Sequence, residues 1–297
     1  MKIACCWMYA IAIYGFPPPL SVMPQAIEQM ARLGFEYIEL EGVGDENLGA
    51  VIAARADLKR ACLDAGVKVS DFAIVLPDII SLDPSRQEKA FDLFARGLET
   101  AAYVDAAYVW IDSYTPPIEI VAGKALTDDL RYGEQLRVRI PPGFRWESFW
   151  AHFVTAIHRS ARLAAEHGLR LLVEPRVGEV TPNSDALLRM LEDVGADNLG
   201  VILDTAHQHA QKELLPLSVA KLAPYIRYVH VADNDGRDNR HLELGAGTID
   251  WEGLFLSLKM HGFNGYYAID LEKLPDLEEK FVGSKRFLEG WAQQLGL

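Results

Sequence analysis

Cysteine is scarce in this chain: Cys5, Cys6 and Cys62 are the three among 297 residues. An odd count with two adjacent members makes neither a disulfide framework nor a Cys-rich zinc site, and suits buried thiols in a reducing compartment. Positive charge is also short, with Lys+Arg 29 against Asp+Glu 42 and a formal net charge of −13. Such a surface repels phosphate backbones, so nucleic acid is not an expected partner. No run of about 18 apolar residues occurs, and no membrane span is expected. The first stretch is interrupted by Trp7 and Tyr9 and runs into Phe16-Pro17-Pro18-Pro19. It lacks the pattern of a signal peptide, which makes the cytoplasm the expected location. No Gly-x-Gly-x-x-Gly follows the first apolar run, which argues against a dinucleotide-binding sheet.

Core material, by contrast, is plentiful. Half the residues are hydrophobic and 24% are charged, a composition that folds. Short apolar runs alternate with amphipathic ones along the chain. The runs predict strands at 2–7, 37–40, 67–74, 108–111, 169–174, 199–204, 226–231 and 266–270. The helical spacings between them predict helices at 23–33, 48–65, 85–104, 146–167, 184–193, 217–223, 251–261 and 276–295. Gly34, Gly66, Gly168 and Gly262 stand where helices should stop, and Ser184 where one should be capped. A stretch from Ser113 to Arg145, with Pro116-Pro117 and Pro141-Pro142, is too long for a plain connection and reads as a lid, a binding loop or a short hairpin. Eight strand–helix units predict one α/β domain over 1–297, a (β/α)8 TIM barrel with an insertion at about 113–145 after its fourth strand. An open doubly wound sheet is the alternative.

Barrel chemistry collects at the carboxyl ends of the strands. The last four predicted strands end in Glu174, Asp204, His230 and Asp270. Three carboxylates and an imidazole converging on one mouth repel one another unless a cation sits among them. The oxygen-rich set suits Mn2+ above all, with Mg2+ or Co2+ as alternatives. These four are therefore the expected ligands of one divalent metal. Glu272 shares a strand face with Asp270, so either can serve. His207, three residues past Asp204, is placed over the mouth as a donor to a substrate oxygen; His209 is a weaker candidate. Arg176, Arg237, Trp110 and Asp112 are candidate substrate-binding residues, with Asp238 and His241 behind them on the polar loop 233–241.

Several pieces of the second half are specific in combination. They are Val173-Glu174-Pro175, Leu203-Asp204-Thr205-Ala206-His207, His230-Val231-Ala232-Asp233-Asn234, Gly245-Ala246-Gly247-Thr248-Ile249-Asp250-Trp251 and Gly262-Phe263-Asn264-Gly265. Over about 146–297 the chain resembles the xylose-isomerase-like superfamily of sugar isomerases, epimerases and related enzymes, which includes inosose dehydratases and C-glycoside deglycosidase subunits. The resemblance implies a TIM barrel with a Glu, Asp, His, Glu metal site, falling on Glu174, Asp204, His230 and Asp270. The family usually has Glu at the last position, so Asp270 is a departure. The superfamily's ketose 3-epimerases place an Arg soon after the third ligand, and Arg237 fits with a one-residue shift. Its DNA-repair members use histidines from early strands, and here none precedes His152.

The expected activity is isomerisation or epimerisation of a sugar through an enediolate. Glu174 and either Asp270 or Glu272 would serve as base and acid, with His207 polarising the oxygen. A lyase is the runner-up, eliminating a group β to the carbonyl of a 3-keto glycoside or an inosose. For that reading Tyr114, Pro116, Pro117, Pro142, Phe144 and Trp146 of the insertion would face an aglycone or a small partner subunit. A homo-oligomer or hetero-oligomer is expected, and a non-catalytic barrel subunit is the alternative of another class.

Overall fold

In a computed structural model that describes residues 1–122 and 137–297, eight parallel strands close on themselves. They are β1 (Lys2–Cys5), β2 (Tyr37–Val43), β3 (Lys68–Val75) and β4 (Tyr108–Asp112). After a separate antiparallel pair, β5 (Glu119–Ala122) and β6 (Arg137–Arg139), come β7 (Leu171–Glu174), β8 (Leu199–Asp204), β9 (Ile226–Val231) and β10 (Tyr266–Ile269). The order around the barrel is β1-β10-β9-β8-β7-β4-β3-β2. This is the (β/α)8 barrel that the alternation predicts.

Period-two alternation divides each strand between two cores. Ile38, Leu40, Phe72, Ile74, Val109, Ile111, Leu171 and Val173 face outward into the large core. There they meet residues such as Phe91, Phe94, Phe153 and Leu187 from the helices. The inward positions form a smaller cluster that includes Ala4, Ala73, Leu172, Ile202, Tyr228 and Ala268. At the amino ends of the strands, Tyr37, Tyr108, Tyr228 and Tyr266 pack ring on ring, with centroids 5.1–6.4 Å apart, and floor the barrel. Polar groups are left to the opposite end.

Several elements differ from the sequence expectation. The chain leaving β1 forms a helix at once, Met8–Tyr14. The helix expected at 48–65 is two, Gly44–Ala53 and Arg55–Ala65, broken at Ala54, which leaves helical geometry at φ −92° and ψ 6°. Asn183, not Ser184, caps the helix Ser184–Val194, because its side chain accepts from the Ala186 N–H at 3.0 Å. A short helix, Thr205–Ala210, follows β8 directly.

In the expected insertion, residues 123–136 lie outside the described residues. The parts on either side pair as β5 and β6, with Arg139 bridged to Glu119. Tyr114, expected at a ligand, packs into the core. It is buried, its hydroxyl lies 3.1 Å from the Leu76 N–H, and its carbonyl accepts from Val180 N–H. No described helix is long and apolar enough to cross a membrane.

Candidate metal and acid–base site

The carboxyl ends of the strands surround a cavity of about 310 Å3. Its lining is polar at Glu41, Glu174, Arg176, His207, His230, His241 and Asp270 and largely apolar at Cys6, Met8, Ile11, Phe16 and Trp110. The unpredicted helix after β1 supplies Met8 and Ile11.

Glu174 ends β7, Asp204 ends β8 and His230 is the fifth residue of β9, so backbone pairing alone brings them together. Each offers one ligand atom, and the three atoms lie within 4.8 Å of one another. His230 Nδ1 contacts Glu174 Oε1 directly and lies 3.8 Å from Asp204 Oδ2. Burial alone would strip the proton from His230. The carboxylates of Glu174 and Glu39 on either side outweigh it and hold its pKa well above the ordinary histidine range. Burial also raises the Asp204 carboxyl, aided by Glu174 and Asp270 and opposed by His207 and His241. Asp204 Oδ2 is buried without a hydrogen-bond partner. A buried cluster that demands positive charge and presents an unsatisfied carboxylate oxygen fits a divalent cation. Its one nitrogen and several oxygens suit Mn2+ or Mg2+.

The fourth expected ligand is placed differently. Asp270 lines the cavity but stands outside that triplet. Its arm is one methylene shorter than a glutamate, and its Oδ2 lies 2.9 Å from His241 Nδ1. Burial is the largest influence on the Asp270 carboxyl and raises it, but His241, His230 and Cys6 together outweigh it and the net shift is downward. Glu272 is not in the cavity wall: it pairs with Arg240 and accepts from the His241 N–H at 3.2 Å. Asp204, His207 and His241 form a second compact triplet.

His207 does not hang in a loop. It lies in the helix Thr205–Ala210, buried, with its N–H donating to the Asp204 cap at 2.6 Å. Asn239 Nδ2 donates to His207 Nδ1 at 3.0 Å, which leaves the ring proton on Nε2. Arg176 lines the cavity 3.5 Å from Asp112, and Trp110 lines it edge-on to His230 at 5.7 Å. The expectation for Arg237 is not met: it is exposed and outside the cavity wall. The reason is a tight turn in which Asp235 Oδ1 accepts from the N–H of both Arg237 and Asp238. His209 bonds Thr248 instead of facing the cavity.

The loop 233–251 holds these groups in place. Asp233 accepts from the N–H of Asn234, Gly245 and Ile249 and from Trp251 Nε1, at 2.9–3.3 Å. The Gly-Ala-Gly-Thr-Ile-Asp-Trp motif is therefore a scaffold for the segment that carries Asn239 and His241.

Two buried acids and a half-buried one escaped the reading of strand ends. Glu39 and Asp71 lie inside the barrel, and Glu41 lines the cavity with Oε1 buried and without a hydrogen-bond partner. Burial and the nearby Asp112 push the Glu41 carboxyl up to about 8, against the pull of Arg176. The signal was present: Glu39 and Glu41 stand two apart in Tyr37-Ile-Glu-Leu-Glu, on one face of an otherwise apolar strand.

Residues 27–290 match the family model described as xylose isomerase-like TIM barrel. An uncharacterized protein of Methanocaldococcus jannaschii is 26% identical over 167 residues, 51% of this chain and 56% of that protein, so the match spans little over half its length. An L-ribulose 3-epimerase of Mesorhizobium japonicum is 27% identical over 256 residues, 84% of this chain and 74% of that enzyme. An inosose dehydratase of Geobacillus kaustophilus is 22% identical over 283 residues, 88% of this chain and 83% of that enzyme. Among solved structures, a D-tagatose 3-epimerase-like protein superposes with a TM-score of 0.76 at 18% identity, covering 100% of this chain and 98% of the other.

Proposed function

Because the chain belongs to the xylose isomerase-like TIM barrel family, we propose that it is an enzyme that moves a proton on a small ketose or related carbohydrate. The observation that carries this reading is the buried meeting of Glu174, Asp204 and His230 beside a cavity of sugar size. The relatives named as epimerases and dehydratases support the same class of chemistry.

Glu174, Asp204 and His230 would hold one divalent cation, Mn2+ by donor chemistry, with Asp270 adding an oxygen to the wall. Such a cation supplies Lewis acidity, which polarises a substrate carbonyl and its neighbouring hydroxyl. The protein's own groups do the rest. Glu174 takes the proton from the carbon beside the carbonyl. His207, with its proton fixed on Nε2, donates to the oxygen on which charge develops. The second proton comes from the Asp270–His241 pair, the imidazolium giving it up through the Asp270 carboxylate, at a strand end apart from Glu174, since β10 is separated from β7 by two strands on one side and four on the other. Arg176, Trp110 and Asp112 orient the sugar, and the apolar lining excludes water from the reacting carbon.

The test is solvent exchange. Incubation with D-fructose, D-tagatose or L-ribulose in D2O with Mn2+ should place deuterium beside the carbonyl, whatever product forms. Absence of exchange and of turnover in the Mn2+-loaded protein would leave a barrel that serves as a binding subunit. The lyase is the second reading, favoured by the wall of Met8, Ile11 and Phe16, which offers an apolar aglycone a surface. Loss of water or of an aglycone from a 3-keto glycoside, faster than exchange on free ketoses, would select it. The proposed substrate is a small carbohydrate and the proposed setting the cytoplasm.

A further inference from the structure

We infer that Glu39 is a positioning residue that sets the His230 ring with Nδ1 bare toward the cation site and its proton on Nε2. The inference rests on the reading above that this site takes a divalent cation. Glu39 is 1% exposed and lies behind His230, away from Glu174 and Asp204. Its Oε1 is 3.1 Å from His230 Nε2 and accepts from the Tyr228 hydroxyl at 2.9 Å. Its Oε2 accepts from the Trp7 N–H at 3.2 Å. An ionised carboxylate only accepts, and two donors already fix this one in place. A cation on Nδ1 in place of the Glu174 contact leaves the one proton of the neutral imidazole on Nε2, where Glu39 Oε1 accepts it. Nδ1, facing Glu174 and Asp204, is then left as a lone-pair donor.

Glu39 could instead be a ligand, because Cys6, Glu39 and His230 form a compact triplet of their own. Two observations argue against this. Both Glu39 oxygens are engaged by protein donors, whereas Asp204 Oδ2 has none. The Cys6 Sγ already accepts from the Met8 N–H at 3.4 Å, and sulfur suits Mn2+ or Mg2+ less well than carboxylate oxygen.

The same buried layer extends to the apolar lining. Ser70 Oγ lies 2.8 Å from the Tyr228 hydroxyl, and Trp110 Nε1 donates to Asp71 Oδ1 at 3.1 Å. Trp110 and His230 thus stand on carboxylates rooted in adjacent strands, β3 and β2.

Titration calorimetry with MnCl2 on the full chain tests the role. Wild type should bind about one Mn2+. Glu39→Gln, checked for fold by circular dichroism, should bind ~10–100-fold more weakly, as expected when an outer carboxylate is lost from a ligating histidine. Unchanged affinity in Glu39→Gln would overturn the inference while leaving the proposed function standing; no binding by wild type would overturn both. A second readout needs no variant at Glu39. In 15N-histidine-labelled protein loaded with Mg2+, the His230 signals should show a protonated Nε2 and a bare Nδ1. The opposite tautomer would overturn the inference.

Discussion

The carboxylate of Asp204 caps the helix Thr205–Ala210 through Oδ1 and turns Oδ2 toward His230. Asp204→Asn keeps a capping oxygen but removes the charge. It should fold, with an unfolding midpoint near wild type in urea, yet lose most of its Mn2+ affinity by calorimetry. Glu174→Gln should lower turnover by ~10²–10⁴-fold in the deuterium-exchange assay, as for loss of a general base. Glu41 gives a pH prediction that is independent of turnover. Its carboxyl is pushed up to about 8 in the folded protein, from an ordinary value of 4.5. Between those two values the folded state holds a proton that the unfolded state has lost, so this group's contribution to stability falls as pH rises. Glu41→Gln should therefore gain stability relative to wild type at pH 8 compared with pH 5, read from urea midpoints at both.

At the scale of elements, the loop after β9 depends on glycine for room. A Cβ on Gly247 would stand 2.1 Å from the Asn234 carbonyl oxygen and 2.3 Å from Asp233 Oδ1. Gly247→Ala must displace the acid that anchors four donors, and should cost about 1–3 kcal/mol. Differential scanning calorimetry checks that figure, and Mn2+ titration should show weakening as the segment bearing His241 shifts. The sequence makes this loop visible as a motif but not its purpose, because the bonds to Asp233 come from residues 12 to 18 positions away. The strands were legible because alternation and length are local properties: β8 and β9 fall where the apolar runs end. Glu174, Asp204 and His230 follow from that placement. The tilt of Asp270 toward His241 does not, since it joins residues 29 positions apart, and the outward turn of Arg237 depends on a side-chain turn at Asp235 that the apolar pattern does not mark. The helix Met8–Tyr14 was hidden by its even apolarity, which lacks a polar face to mark the period.

For the whole molecule, the proposed cation site among buried carboxylates would couple cation binding to folding. Protein stripped with EDTA should melt below the Mn2+-loaded form. At a hundredfold excess over Kd the added stability should be about 2.7 kcal/mol. Thermal scans at several Mn2+ concentrations give the slope, and a melting temperature independent of Mn2+ would count against a site of this kind. The tyrosines at the opposite end bear on kinetics. Because those rings fill the amino end of the barrel, the mouth at the other end is the doorway seen among the described residues. In the proposed reaction a product would leave by the way its reactant came, and progress curves should then flatten early in the pattern of competitive inhibition.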